Sequence, residues 1–323
     1  MAPRFLALGL VAAGLACQGL PVHAASDGPG CEAIRRDIGA ARQSKDVERL
    51  GALMVMVQAG TGGCGERTLL CLGRSAALAY VERAYAAADS GGDAKTVEAI
   101  LVKGKSFGAP WPLLSMLGDI EFDRAAAGEK ALYLEAGVNL EAALNDLAGE
   151  APCAGFGEPA APAPAEIGRL VKRAAEAKLL APSFRLARTR DGECGGVFLT
   201  SIRGFEAKST PLPIEFEFNS ATFTQKGEQA AAALLECLGK EGFSAIKLTG
   251  HTDKIGSDAF NMDLSARRLA AVRDYLVKGR FGGRIVLIPM GRREPFPVDD
   301  PSQHSEDEIN QLNRRVELRE ATR

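Results

Sequence analysis

The chain has 323 residues, of which 39 are basic and 41 acidic, giving a formal charge of −2 at pH 7. A balance this even supplies no global field to attract nucleic acid, so no nucleic-acid partner is expected. The length exceeds what a single hydrophobic core usually serves and points to two domains.

Residues 1–24 read as an export signal. Arg4 gives the positive start, residues 5–16 are apolar, Pro21 breaks the run, and Val22-His23-Ala24 offers small residues for cleavage after Ala24. The apolar run is short for a transmembrane helix, and no later segment offers the ~20 uninterrupted apolar residues one needs. A competing reading takes Cys17, after Gly14-Leu15-Ala16, as an acylated cysteine, which would tether the protein to the outer membrane. Gly14 stands where such sites usually carry Leu, so plain cleavage is favoured and a periplasmic location is expected.

Removing the signal leaves Cys31, Cys64, Cys71, Cys153, Cys194 and Cys237. An even count in an exported chain favours disulfides, and six cysteines allow fifteen pairings. Cys153 and Cys194 bracket one segment and are expected to pair. Cys237 falls inside an amphipathic helix and is expected to stay free. No CxxC spacing of a redox or zinc site occurs.

Residues 31–148 are helical in pattern, with Ala- and Leu-rich runs at 76–88 and 94–102 and breaks at Gly91-Gly92 and Gly104. Alternating ten-residue segments of the kind that build a membrane β-barrel are missing from this half. Between Trp111 and Leu147, the residues Trp111, Leu117-Gly118, Phe122, Ala131, Leu134 and Ala142-Ala143 resemble a tetratricopeptide-like hairpin, in which a small residue such as Gly118 lets two helices approach. The Ala/Pro tract 158–164 reads as a semi-rigid linker. A helix at 167–180 and a strand at 197–202 follow.

From Pro211 and Pro213 onward the order reads β-α-β-α-β-β. Ile214, Phe216 and Phe218 alternate with Glu215 and Glu217 as a half-buried opening strand. Residues 225–240 form a helix, 245–248 a strand, 264–278 a second helix, 284–288 a third strand, and 315–318 closes the sheet. On helix 264–278 the apolar stripe runs through Leu264, Leu269, Val272 and Leu276. At 100° per residue Arg268 falls inside that stripe, whereas Arg267 and Arg273 fall outside it. An arginine on a core-facing line must find an acceptor. Asp253, in a Gly-flanked loop, is the nearest candidate. One carboxylate beside one guanidinium complements a free amino acid's ammonium and carboxylate.

The run Thr249-Gly250-His251-Thr252-Asp253, then Gly256, Asn261, Leu264-Ser265, Arg268 and Asn313-Arg314-Arg315-Val316-Glu317, resembles the OmpA-like peptidoglycan-binding family over about residues 210–320. The fold class is therefore read as α+β: a C-terminal β-α-β-α-β-β OmpA-like sandwich at 209–323, an all-α region at 25–149, and an Ala/Pro linker and connecting segment at 150–208. The resemblance implies peptidoglycan as partner. It also implies that Asp253 takes the ammonium and Arg268 the carboxylate of stem-peptide diaminopimelate, with Asn219, Thr252, Asn261 and Arg315 beside them. Asn261 also suits a helix N-cap. Of Arg314 and Arg315, one is expected to be structural. Leu269 stands where the family usually carries Ala.

Catalysis, a cofactor and a metal are not expected. His251 and Asp253 lack the further ligands of a zinc site, no HExxH occurs, and arginine stays protonated and cannot act as a base. His251 is expected to pack rather than react. In a second functional reading the helical half is a scaffold that recruits an envelope protein, and wall docking is secondary.

Overall fold

Seven helices build the N-terminal half among the described residues, which are 27–149, 153, 156–186, 194, 201–298 and 300–322 of a computed structural model. They are α1 (Cys31–Gln43), α2 (Val47–Gln58), α3 (Glu66–Asp89), α4 (Ala94–Lys105), α5 (Trp111–Ala126), α6 (Leu132–Ala148) and α7 (Pro164–Leu180). The export segment, Cys17 and residues 197–200 of the expected strand lie outside the described residues. Among those described, no helix is long and apolar enough to cross a membrane.

Helices α1–α4 carry apolar faces that close around α3, with Leu50, Met54, Leu72 and Ala76 in one cluster and Ala77, Val81, Val97 and Leu101 in the next, where Leu113 of α5 joins them. The α5–α6 hairpin packs as its small residue requires: a Cβ on Gly118 would lie 2.7 Å from Leu140 and 3.2 Å from the Ala136 carbonyl. The Ala/Pro tract is held to the helices at its start. Arg74, buried on α3, forms a two-pronged ion pair with Asp146 at 2.7 and 2.8 Å and also holds Glu158 at the start of the tract. Arg42 donates to the Phe156 carbonyl at 3.0 Å. Pro164 then opens α7, where a missing N–H costs nothing.

The cysteines pair as Cys31–Cys64, Cys71–Cys153 and Cys194–Cys237. The expected Cys153–Cys194 bond and free Cys237 are both corrected. Cys153 lies 5.2 Å (Cα–Cα) from Cys71 on α3 and is buried there. Cys237 sits on the buried side of its helix, where Cys194 meets it. Bracketing a segment in sequence does not bring its ends together when a helix as long as α7 runs between them.

The C-terminal half adds a two-residue ribbon, β1 (Ser201–Ile202) with β2 (Phe205–Glu206), and then β3 (Thr210–Leu212), α8 (Gln225–Glu241), β4 (Ala245–His251), α9 (Asp258–Lys278), β5 (Arg284–Gly291), α10 (Glu306–Asn313) and β6 (Val316–Thr322). The four-stranded sheet has the order β3-β6-β4-β5, with β4 parallel to β5 and antiparallel to β6. Leu234 and Leu238 of α8 and Leu269, Val272 and Leu276 of α9 cover one face of it, against Ile246, Leu248, Val316 and Leu318. This α+β arrangement agrees with the sequence reading.

Two details differ. The opening strand is residues 210–212, not 214–218, which leave the sheet after Pro213 and close into a tight loop. There the Glu217 N–H donates to the Thr222 carbonyl at 2.9 Å, and the Phe216 and Phe223 rings stack with centroids 5.1 Å apart. The alternation that reads as a strand is that of a loop with Ile214 in the core and Phe218 in solvent. The short α10, with a capping box at Ser305 and Glu308, intervenes before β6.

The two halves share a core. Phe122, Tyr133, Leu179 and Leu180 of the helical half pack with Phe296 and Leu312 of the other. Lys226, buried in the first turn of α8, donates to the Leu179 and Ala181 carbonyls at the end of α7 (3.0 and 2.7 Å) and pairs with Glu215 at 2.6 Å. A cation at exposed helix-end carbonyls also meets the negative end of the helix dipole. Lys226→Met removes one donor from two carbonyls and one carboxylate together, and Gln311 still donates to the Leu179 carbonyl and to Glu215. We expect it to lower the unfolding free energy by roughly 2–4 kcal/mol, seen as a lower urea midpoint. An unchanged midpoint would remove this contact from the account of how the halves are joined.

Candidate functional site

The end of β4 and the middle of α9 are drawn together because Gly250 has no side chain. A Cβ there would lie 2.8 Å from Leu269 and 3.1 Å from the Ser265 carbonyl. The chain leaves the sheet at His251, runs through Thr252 and Asp253, turns at Gly256 (φ +95°) and enters α9 under a Ser257 cap that accepts from the Phe260 N–H. The N-cap is therefore Ser257, and α9 begins before the residues its apolar stripe marks. Asn261, buried in the first turn, donates to the Ile255 carbonyl at 2.9 Å and ties the loop to the helix.

Arg268 lies on the core-facing side of α9 and is 4% exposed. Its Nε donates to the Ser220 carbonyl at 2.9 Å, and its guanidinium lies 5.1 Å from the centre of the Phe216 ring. Burial pushes its pKa down to about 10, the like charge of Arg314 adds to this, and Asp253 partly opposes it. The group stays fully cationic near neutrality. Asp253 is also buried; its Oδ1 accepts from the Ile255 N–H at 3.0 Å and its Oδ2 from Arg314 Nη1 at 3.0 Å. Thr252 donates from its N–H to the Gly291 carbonyl and from its hydroxyl to the Asp253 carbonyl.

These groups meet in a small cleft lined by Asn219, Thr252, Asp253, Asn261, Arg268 and Arg314 among others. Asn219 reaches it from the tight loop, at φ +52°. Five of the six expected residues thus converge: Asp253, Arg268, Asn219, Thr252 and Asn261.

Arg315 does not, and Arg314 takes its place. Both lie between α10 and β6, Arg314 as the C-cap of the helix and Arg315 just before the strand, and their side chains leave the chain on opposite sides. Arg315 goes to the face away from α8 and α9, where its Nε donates to Glu317 at 2.7 Å, its Nη2 to the Glu294 carbonyl, and its guanidinium covers the Phe296 ring. Asn313 also stays out of the cleft, accepting from the Phe296 N–H and donating to the Ile309 carbonyl. His251 packs on that same reverse face, buried 3.7 Å from Glu317.

The sequence reading missed the rim. Phe218, Ile255 and Phe260 line the cleft while remaining 77%, 55% and 40% exposed. Large apolar side chains left in water beside a charged cleft suit a ligand with an aliphatic or ring portion next to its charges. The signal was present in the 214–218 alternation, but reading that segment as a strand assigned Phe218 to the core side.

Residues 215–311 match the family model described as the OmpA family. Outer membrane protein A of Klebsiella pneumoniae is 45% identical over 100 residues, 29% of this chain and 28% of that protein. Outer membrane porin F of Pseudomonas aeruginosa is 33% identical over 114 residues, 35% of this chain and 31% of that protein. The chain thus spans about three tenths of the length of these relatives. The peptidoglycan-associated lipoprotein from Burkholderia pseudomallei aligns in structure with 24% identity and a TM-score of 0.28, covering 35% of this chain and 88% of that one.

Glu317 separates the roles of the two arginines. Burial would raise its carboxyl, but the nearby His251 ring and Arg315 outweigh that and hold it at about 2, below the ordinary 4.5. A depressed carboxyl contributes stability that is present above about pH 4.5 and lost as pH falls through 2. Arg315→Ala should cost about 3 kcal/mol near neutrality and move acid unfolding to higher pH. Arg314→Ala should change stability by no more than about 1 kcal/mol. Chemical unfolding of both variants across pH 2–7 is the measurement; equal effects would overturn the assignment of Arg315 to structure and Arg314 to the cleft.

Proposed function

We propose that this chain, whose C-terminal part is an OmpA-like domain, is a non-enzymatic cell-envelope protein that binds peptidoglycan non-covalently and positions its helical half at the wall. The observation that carries the reading is a buried guanidinium, Arg268, facing a buried carboxylate, Asp253, across an open cleft in a segment that matches the OmpA family. The cleft's charges complement the free amino-acid end of a diaminopimelate side chain. Asp253 accepts from the ammonium. Arg268 already spends its Nε on a backbone carbonyl and offers its η nitrogens to the carboxylate. Asn219, Thr252 and Asn261 supply neutral polar groups beside them.

An exported, wall-facing location is supported by the three disulfides, which need an oxidising compartment. Binding rather than catalysis is supported by the makeup of the cleft: its titratable side chains are one carboxylate and two arginines, and an arginine holds its proton. Charge-assisted bonds of about 1.5–3 kcal/mol each, set against ligand ordering, give micromolar to millimolar affinity per site. Confinement beside a polymer of repeated sites raises the effective strength.

The test is co-sedimentation of the full chain with diaminopimelate-type peptidoglycan, beside Arg268→Ala and Asp253→Ala, with thermal melts of each. We expect the wild type to pellet with the wall and both variants to stay in solution while melting as cooperative folded proteins. Folded wild type left in the supernatant would sink the wall-binding reading. Variants that fail to fold would make the pair structural instead.

A further inference from the structure

The lining of the cleft is unbalanced in charge: two guanidiniums, Arg268 and Arg314, face one carboxylate, Asp253. The surrounding surface does not correct this. Lys254 is paired with Glu306 at 2.8 Å, Arg267 with Asp263 at 2.8 Å, and Arg292 with Asp258, so each nearby ion pair is closed on itself. The lone carboxylate is also already engaged, by the Ile255 N–H on one oxygen and by Arg314 on the other. An arriving ammonium must therefore share Asp253 Oδ2 with Arg314 or displace it. Displacement alone would leave a guanidinium without its counter-charge in a partly desolvated cleft, which is costly. The side chain of Arg314 is 35% exposed, so unlike Arg268 it can swing toward a ligand.

We infer that the cleft takes a ligand with one ammonium and two carboxylates, the first carboxylate held by Arg268 and the second by Arg314 as it yields Asp253 to the ammonium. This rests on the reading of the cleft as the seat of a stem-peptide diamino acid. Such a stem offers the second carboxylate from one of two places: the α-carboxylate of the preceding γ-linked glutamate, or the diamino acid's own backbone carboxylate at a stem end. The mutual repulsion of the two guanidiniums, which helps to depress the pKa of Arg268, is relieved when each has its own anion. Arg314 thus acts as a stand-in cation that keeps Asp253 paired in the empty cleft and becomes a ligand contact in the filled one.

The test is calorimetric titration of the full chain with synthetic N-acetyl-γ-D-glutamyl-meso-diaminopimelate, whose acetyl group stands in for the preceding stem residue, and three monoamides of it. One amide is on the side-chain carboxylate, one on the glutamate α-carboxylate, and one on the diamino acid's backbone carboxylate. We expect the side-chain amide to lose measurable binding. One of the other two should bind about tenfold more weakly than the parent, and which one identifies the source of the second carboxylate. In Arg314→Gln that second penalty should shrink to within about twofold while the side-chain amide remains inactive. Should both other amides match the parent on the wild type, the second carboxylate is refuted and the wall-binding reading stands. A penalty that persists in Arg314→Gln refutes the role of Arg314, and failure of the parent to bind at all refutes both readings. The wild-type arms decide the second carboxylate even if the variant folds poorly.

Discussion

A guanidinium buried on the core side of a helix constrains everything around it. Arg268 occupies a position that helical periodicity assigns to an apolar residue, and its nearest fixed acceptor is a backbone carbonyl, that of Ser220. Putting a full charge there is tolerable only if the site supplies polar groups without dissolving the core. The fold does this by assembling three separate segments over one end of α9. The tight loop at 216–223 brings the carbonyl and an aromatic face, the 252–257 turn brings Asp253, and the residue after α10 brings Arg314. Each segment is irregular backbone held by its own hydrogen bonds, which is why the cleft sits where strands and helices end and not on their faces. A hydrophobic residue at 268 would cost the domain less, so the retained charge is an argument for a ligand as well as a description of the core.

The sheet keeps two charged systems apart. On the helix-covered face, Ile246, Leu248, Val316 and Leu318 make a dry layer. On the other face lie Glu317, Arg315 and His251, all buried, beneath Phe296 and the segment after β5. Glu317 and Arg315 form a closed pair in which the carboxyl is strongly stabilised as an anion. The Arg268–Asp253–Arg314 group, by contrast, stays open to solvent at the cleft mouth. Consecutive residues between α10 and β6 feed the two systems, Arg314, the C-cap of α10, the open one and Arg315 the closed one.

That division explains how far the sequence could be read. Arg268 was legible because the helical period is fixed by many residues, so one charged member of an apolar stripe stands out. Asp253, Thr252 and Asn261 were legible through the family resemblance of the ordered motif, whereas the helix start was placed too late, at 264 and not at Asp258. Choosing between Arg314 and Arg315 required knowing where α10 ends and β6 begins, and the sequence reading placed no helix there to set that boundary. The disulfides depended on where α3 and α8 lie in space, which local pattern does not encode. The segment 214–218 was misread because a tight loop with one buried and one exposed aromatic imitates the period of a strand.

The helical half is more than a passenger on this domain, because it helps to hold the element that aims Arg314. At eight residues α10 is too short to be stable alone. Its capping box supplies one support, and the others come from the opposite half. Lys130 pairs with Glu308 at 2.6 Å, Gln311 donates to the Leu179 carbonyl at 2.7 Å, and Leu312 is buried with Phe122 and Tyr133. Arg314 is the C-cap of this helix, so the direction from which its side chain reaches Asp253 is set by a helix that the N-terminal layer pins down. The same Leu179 carbonyl also accepts from Lys226, at the start of α8. The end of α7 is thus gripped by both helices that flank the opening and closing strands, and the cleft inherits its geometry from the joint between the two halves as well as from the sheet.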